Sequence, residues 1–201
     1  LTGNTASNNS YGIWLYYSSN NTLTGNTTNS NNSCGILLYY SSNNTLTGNT
    51  ASNNSFGISL DYSSNNTLTG NTASSNSAGI FLCYSSNNTL TGNTTSNNYY
   101  GIYLYYSSNN NKVYNNNFIN NATQAYVSGG SGNIFILDRP SGGNYWSNWT
   151  TPDNNNDGFV DNPYVFSGGR DNLPWTRENG WVPDNIAPTT TISFSGTLGK
   201  N

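Results

Sequence analysis

The segment of the sequence with the spacing of a metal-binding loop lies at residues 153–161 and reads Asp-Asn-Asn-Asn-Asp-Gly-Phe-Val-Asp. Oxygen ligands at the first, third and fifth positions, a glycine for the sharp turn and a later carboxylate allow a short loop to surround a hard cation. We therefore predict a Ca²⁺ site formed by Asp153, Asn155, Asp157, the backbone carbonyl of Phe159, and Asp161. The alternative is a solvated acidic turn.

Paired acids and bases are missing from most of the chain. Between residues 1 and 111 the only charged residue is Asp61. Glycoside hydrolysis needs two carboxylates, and a serine nucleophile usually needs a histidine base, whereas this chain contains no histidine. Because a lone carboxylate cannot act as both acid and base, we predict no catalytic residues and a protein that is not an enzyme.

The composition excludes two further classes of partner. Only 6% of the 201 residues are charged, the net charge is -3, and five Lys and Arg cannot line a phosphate backbone. No apolar run approaches the roughly 20 residues that cross a bilayer. We therefore expect neither nucleic-acid binding nor a membrane span in this chain. Because Leu1 falls inside a repeat, we expect the chain to be part of a longer protein.

A phrase of about 22 residues, LTGNTASNNSYGIWLYYSSNNT, starts at Leu1 and recurs from Leu23, Leu46, Leu68 and Leu90. Its asparagine, serine, threonine and glycine residues favour turns, while its β-branched and aromatic residues favour short strands. A unit of this length suits one coil of a parallel β-helix, in which each strand pairs with its counterpart one coil later. We therefore predict an all-β, parallel β-helix of about five coils.

Three apolar columns are identical in every repeat, and two of them are two residues apart, which places both on one face of a strand. We assign them to the core: Ile13, Ile36, Ile58, Ile80 and Ile102; Leu15, Leu38, Leu60, Leu82 and Leu104; and Leu1, Leu23, Leu46, Leu68 and Leu90. Stacked asparagine amides are expected at two corners, one column beginning with Asn4 and the other with Asn20, Asn43, Asn65, Asn87 and Asn109.

The phrase GI-x-L-x-Y-S-S-N-N-T-L-T-G-N, with the later Asn144-Tyr145-Trp146, resembles the repeats of the NosD-like family. These are also called carbohydrate-binding and sugar-hydrolase (CASH) repeats and are common in archaeal surface proteins. The resemblance implies a right-handed β-helix with a C-terminal cap. The family is also associated with copper maturation, but this chain has no histidine, no methionine and only two cysteines, so we do not transfer that role.

Three regions follow from this reading. Residues 1–111 form the β-helix repeats, residues 112–181 form irregular last coils and the cap with the Ca²⁺ loop, and residues 182–201 form a linker and a strand. That strand, Thr189 to Gly196, either begins another module or docks on a neighbouring subunit as an added strand. Cys34 and Cys83 fall in different columns two coils apart, so we do not expect a disulfide between them.

Large side chains recur at positions expected to face outward from the strands: Trp14, Leu37, Phe81 and Tyr103 in one column, and Tyr16, Tyr39 and Tyr105 in the next. An exposed apolar patch of this kind usually marks a contact surface. The patch could contact another protein surface or a sugar ring. The third interpretation is that it has no partner and that tyrosine is present because it favours β-strands.

Asn-x-Ser/Thr sequons predict glycosylation at Asn8, Asn20, Asn31, Asn43, Asn53, Asn65, Asn87, Asn121 and Asn148. Together these features predict an extracellular or cell-surface scaffold, such as a filament or surface-layer subunit, assembling with itself or with neighbouring surface domains. One alternative is a carbohydrate-binding adhesion module with glycans as partners. A second is an inactive relative of polysaccharide-processing β-helix enzymes.

Overall fold

The structure, a computed structural model, describes residues 1–183, which form short strands in stacked parallel sheets and one hairpin. A six-stranded sheet contains β2 (Tyr11–Tyr16), β5 (Cys34–Tyr39), β8 (Phe56–Asp61), β11 (Ala78–Cys83), β14 (Tyr100–Tyr105) and β17 (Thr123–Ser128). A five-stranded sheet contains β3 (Thr22–Thr24), β6 (Thr45–Thr47), β9 (Thr67–Thr69), β12 (Thr89–Thr91) and β15 (Lys112–Tyr114).

The third sheet has seven strands: β1 (Thr5–Ser7), β4 (Thr27–Asn29), β7 (Thr50–Ser52), β10 (Thr72–Ser74), β13 (Thr94–Ser96), β16 (Asn117–Ile119) and β18 (Tyr145–Trp146). The hairpin pairs β19 (Tyr164–Phe166) with β20 (Gly169–Asp171). Within residues 1–183, no helix is long and apolar enough to cross a membrane. The predicted strand from Thr189 to Gly196 lies outside the described residues.

Each strand of the coils pairs in parallel with the equivalent strand one coil later, so identical residues lie directly above one another. In the five-stranded sheet, for example, Leu46 is in register with Leu23 and Leu68. This arrangement confirms the predicted parallel β-helix. After the five repeats, residues 112–128 form a sixth coil in register with the last repeat.

The predicted isoleucine and leucine columns form the core, where most of their members are no more than 2% exposed. Leu1 is the exception at 63% exposed, so its assignment to the core was wrong. A fourth inward column, not predicted from the sequence, consists of smaller residues: Thr28, Ala51, Ala73 and Thr95. A glycine faces this column in each of the five repeats. At Gly57, a Cβ would lie 2.5 Å from the carbonyl oxygen of Gly79 and 3.0 Å from the Cβ of Ala73, so a side chain at this glycine would collide with the packed interior.

Buried asparagines form three continuous ladders along the axis. Asn71 illustrates the pattern: its Oδ1 accepts hydrogen bonds from the backbone N–H and the Nδ2 of Asn49, both at 2.9 Å. Its own Nδ2 donates to the Leu46 carbonyl and to Asn93 Oδ1, again at 2.9 Å. We call the columns the first ladder (Asn4, Asn26, Asn49, Asn71, Asn93, Asn116 and Asn144), the second ladder (Asn9, Asn31, Asn54, Asn76, Asn98 and Asn121) and the third ladder (Asn21, Asn44, Asn66, Asn88, Asn111 and Asn133).

The first ladder confirms the predicted column at Asn4. The column predicted at Asn20 was wrong by one residue in the first four coils, where the third ladder uses the asparagine that follows, and by two residues at Asn109, where it uses Asn111. Asn20, Asn43 and Asn65 are exposed and adopt left-handed backbone angles, with φ between 57° and 62°. Asparagine tolerates this conformation better than most residues, so the first asparagine of each pair turns the chain and the second one stacks.

The cap closes the C-terminal end of the core. Trp146 is fully buried and stacks on Phe118 with ring centroids 4.5 Å apart. The buried carboxylate of Asp171 accepts hydrogen bonds from the Asn144 N–H at 2.7 Å and from Trp146 Nε1 at 2.9 Å, and another from the Leu173 N–H at 3.0 Å. Asp171 therefore holds together Asn144, the last residue of the first ladder, and the buried Trp146 of the cap.

Candidate functional site

The predicted interaction residues lie together on the outer face of the six-stranded sheet. Trp14, Leu37, Phe81 and Tyr103 belong to one column, in which Ser59 and Tyr126 complete the register. Tyr16, Tyr39 and Tyr105 belong to the next column, interrupted by Asp61 and Cys83. We call this surface the aromatic face.

Exposure differs strongly among these residues. Trp14 is 51% exposed and Tyr16 is 53% exposed, whereas Phe81 and the remaining tyrosines of the two columns are half-buried. Leu37 is only 9% exposed, so its prediction as a contact residue was wrong. Its neighbours in the column are Trp14 and Ser59, and its surface is already covered within the chain.

The most regular feature of this face was not identified from the sequence. Five tyrosines, one in each repeat, stack along the axis with ring centroids 4.7–5.0 Å apart and ring planes within 12° of parallel. We call them the tyrosine ladder: Tyr17, Tyr40, Tyr62, Tyr84 and Tyr106. Their exposure ranges from 37% to 64%. The available signal was the tyrosine directly before Ser-Ser in each repeat, which is replaced in none of the five.

Every residue of the tyrosine ladder has a left-handed backbone, with φ between 46° and 48°. This conformation costs an L-residue about 1–2 kcal/mol. A stacked aromatic pair contributes roughly 0.5–1.5 kcal/mol beyond its buried area, so stacking only offsets this cost. Since asparagine or glycine would adopt the turn more easily, stability alone does not account for tyrosine at these exposed positions.

Three ionisable groups of the aromatic face have raised pKa values. Hydrogen bonding with Tyr106, together with burial, raises the pKa of Tyr105 to about 12. Burial and the nearby charge of Asp61 raise the pKa of Cys83 to about 11, so this thiol is not a reactive thiolate. Burial also raises the pKa of Asp61. The face therefore offers ring edges and hydroxyl groups for binding, without an activated nucleophile.

The predicted calcium loop is closed by its own hydrogen bonds. The Asp153 carboxylate accepts from the N–H groups of Asp157 and Gly158, both at 3.1 Å. Asp161 accepts from the backbone and side chain of Asn154, and Asp157 forms an ion pair with Arg139 at 2.6 Å. Hydrogen bonding from the Phe159 N–H lowers the pKa of Asp157. Within residues 1–183, no three Asp, Glu, Cys or His side chains are grouped to hold a metal ion.

The predicted glycosylation sites fall into two groups. Asn31 and Asn121 are buried in the second ladder, where their Nδ2 groups are hydrogen-bonded, so these two predictions were wrong. The other sequon asparagines are exposed: Asn8, Asn20, Asn43, Asn53, Asn65, Asn87 and Asn148. All of these except Asn148 have positive φ. Asparagine tolerates this backbone conformation, so its occurrence at these positions is explained without glycosylation. Their modification stays a prediction.

The stacked coils, internal amide ladders and aromatic outer surface define a β-helix repeat protein. The chain belongs to the NosD family, since residues 1–151 match the family described as "Periplasmic copper-binding protein (NosD)". Among curated proteins, none matches the sequence.

Two solved structures show a similar fold. A mutant of the periplasmic alginate epimerase AlgG has a TM-score of 0.50 at 20% identity, over 67% of this chain and 39% of that one. AlgG itself gives a TM-score of 0.45 at 20% identity, over 66% of this chain and 40% of that one. The chain thus spans about two fifths of the enzyme's length, and at this identity the likeness concerns the fold alone.

The family's description names copper, so we compared the ligands that copper prefers with the side chains of this chain. Copper sites use thiolate, thioether and imidazole ligands, and the sequence contains no histidine and no methionine. Cys34 is buried on β5 and Cys83 lies on β11, with β8 between the two strands. Burial raises the pKa of both thiols. These residues do not fit a copper site.

Proposed function

We propose that this chain is a structural scaffold outside the cytoplasm, in the periplasm or at the cell surface, and that it associates through its aromatic face. The observation that carries the proposal is the tyrosine ladder. It places five exposed aromatic rings in one column. Each of these tyrosines adopts an unfavourable left-handed backbone, which asparagine or glycine would adopt at a lower cost. The description of the family as periplasmic supports the location.

The surroundings of Asp61 support a role without catalysis. It is the only charged residue between residues 1 and 111, and its neighbours in the column are Tyr39 and Cys83. A second carboxylate or a base, which sugar-processing chemistry would need, is absent from those coils. One Asp61 oxygen is also buried without a hydrogen-bond partner.

The geometry favours lateral association between protein surfaces. In the tyrosine ladder each ring covers the face of the next, so a sugar could stack only on the two terminal rings. The exposed edges and hydroxyl groups suit a protein interface, where tyrosine is enriched. The cap covers the C-terminal end of the core, which leaves the side of the solenoid as the larger accessible surface.

A carbohydrate-binding module is the second candidate, and Trp14 favours it. Its partner in the adjacent coil is Leu37 rather than another aromatic residue, and the indole is 51% exposed. An exposed indole can accept the apolar face of a sugar ring. This candidate predicts dispersed monomers that bind a glycan array and lose that binding in Trp14→Ala. The third candidate, an inactive relative of polysaccharide-processing enzymes, predicts neither assembly nor glycan binding.

Tyr62→Asn is expected to weaken self-association of the purified chain about tenfold, since loss of a central interface tyrosine typically costs more than 1 kcal/mol. Asparagine tolerates the left-handed backbone at this position, so the turn is retained. Sedimentation over a concentration series measures the association, and electron microscopy shows whether the assemblies are ordered. Tyr114→Asn, on the five-stranded sheet, is the matched control and should assemble like the wild type. Dispersed wild-type monomers at all concentrations would contradict the proposal.

We further propose that the loop at residues 153–161 binds Ca²⁺ and stabilises the cap. In the structure Arg139 neutralises Asp157, so the cation would compete with this ion pair. Calcium at a hundredfold excess over its dissociation constant should raise the Tm by roughly 5 °C or more, and EDTA should reverse the rise. Asp157→Asn should lose the response, whereas Asp138→Asn, outside the loop, should retain it. A melting curve that EDTA leaves unchanged would count against the site.

A further inference from the structure

The outer face of the five-stranded sheet carries a two-dimensional array of identical side chains. The strands β3, β6, β9 and β12 each read Thr-Leu-Thr, and they pair in register. The central leucines are buried, so the threonines on either side point outward. We call these residues the threonine array: Thr22, Thr45, Thr67 and Thr89 in one column, and Thr2, Thr24, Thr47, Thr69 and Thr91 in the other.

Both borders of the threonine array are fixed by buried asparagines. The third ladder runs immediately before the strands, where for example Asn44 bonds to Asn66 at 3.1 Å. The first ladder runs two residues after them, where Asn49 bonds to Asn71 at 2.9 Å. Continuous side-chain ladders of this kind keep a stacked sheet from twisting. The spacing of the threonines is therefore set on both sides by the interior and does not depend on a partner.

The chemistry of the threonine array is uniform and neutral. Each position offers one methyl and one hydroxyl group, and no residue of the array is charged. The first charged residue beyond it is Lys112 on β15, which pairs with Thr89. Within residues 1–183, the threonine side chains that form hydrogen bonds are Thr28, Thr94, Thr95 and Thr176, all outside the array. The hydroxyl groups of the array are thus available to solvent.

We propose that the threonine array binds the surface of ice. The columns repeat every ~4.8 Å from coil to coil, and the two threonines of a strand are about 6.6 Å apart along it. The coil-to-coil distance is close to a repeat of the oxygen lattice of hexagonal ice. A rigid neutral lattice of methyl and hydroxyl groups can order its first water layer in register with ice, whereas charged groups would impose their own hydration shells.

The adjacent seven-stranded sheet provides a matched control face. There Thr27, Thr50, Thr72 and Thr94 also form a column, but the position two residues later is Asn29, Ser52, Ser74 or Ser96. Thr50 and Thr72 have the same partial exposure as Thr47 and Thr69 and come from the same two coils. This face therefore has the same fold and polarity without a two-column threonine lattice.

The test is partition of the full chain into slowly growing ice, with the protein measured in the ice and in the remaining liquid. The wild type is expected to concentrate in the ice relative to an inert protein of similar size. The double variant Thr47→Lys with Thr69→Lys should fall to the level of the inert protein. The control double variant Thr50→Lys with Thr72→Lys, which has the same added charge, should partition like the wild type. Circular dichroism melting shows that all three chains are folded.

Two outcomes would overturn the proposal. One is exclusion of the folded wild type from ice. The other is equal loss of partition in both folded double variants, which would show that the threonine array is not the binding surface. The proposed scaffold function is tested separately by sedimentation of Tyr62→Asn, a residue on a different sheet, so either proposal can fail without the other.

Discussion

Replacing Asn71 by alanine is expected to lower the free energy of unfolding by about 3–5 kcal/mol, because the substitution removes four buried hydrogen bonds at once. The backbone N–H and Nδ2 of Asn49 lose their acceptor, and the Leu46 carbonyl loses a donor. Each buried polar group left without a partner costs about 1–3 kcal/mol. Water cannot easily replace the lost partner, since Asn71 is 1% exposed in the middle of the first ladder.

Asn32→Ala is the control for this prediction. Asn32 is exposed, and its hydrogen bonds to neighbouring coils come from its backbone. An exposed substitution of this kind should change the stability by no more than about 0.5 kcal/mol. Urea denaturation followed by circular dichroism measures both variants. Similar losses in the two would mean that stacked amides add nothing to the stability of the coils.

The core of the β-helix could be predicted from the sequence because its columns repeat without substitution and obey a period of two. The first ladder could be placed because its corner has one asparagine after a glycine, whereas the third could be placed only approximately, since its corner contains adjacent asparagines that composition cannot distinguish. The structure resolves the ambiguity by backbone angle: Asn43 adopts φ 57° and turns the chain, while Asn44 is buried and stacks. No local propensity indicates which of two identical residues turns inward.

The aromatic face was only partly predictable for the same reason. Tyr39 and Tyr40 are adjacent, and the predicted contact surface included the first while the regular stack uses the second. Tyrosine has no intrinsic preference for a φ near 48°, so local propensity gave no reason to place it in a left-handed turn. Leu37 was misplaced because strand alternation gives the direction of a side chain but not how far the surrounding residues cover it.

Asp171 should make the stability of the cap depend on pH between about 4 and 6. Burial raises the pKa of this carboxyl from 3.8 to about 6, despite hydrogen bonds from Asn144, Trp146 and Leu173 that favour the charged form. Between those values the folded state binds more protons than the unfolded state, so the free energy of unfolding falls as the pH rises. Stability is full below the unfolded pKa, and roughly 3 kcal/mol is lost once the pH exceeds the folded pKa.

Asp171→Asn removes this titration, so its free energy of unfolding should lose the decline of roughly 3 kcal/mol between pH 4 and pH 6. Urea denaturation at several pH values measures the slope in both proteins. Asp61, whose pKa is also raised by burial, contributes in the same direction, so the difference between wild type and variant isolates Asp171. Asp138→Asn should keep the wild-type slope. An unchanged slope in Asp171→Asn would mean that the buried carboxyl is ionised in the folded protein throughout this range, and that the N–H groups around it outweigh the cost of its burial.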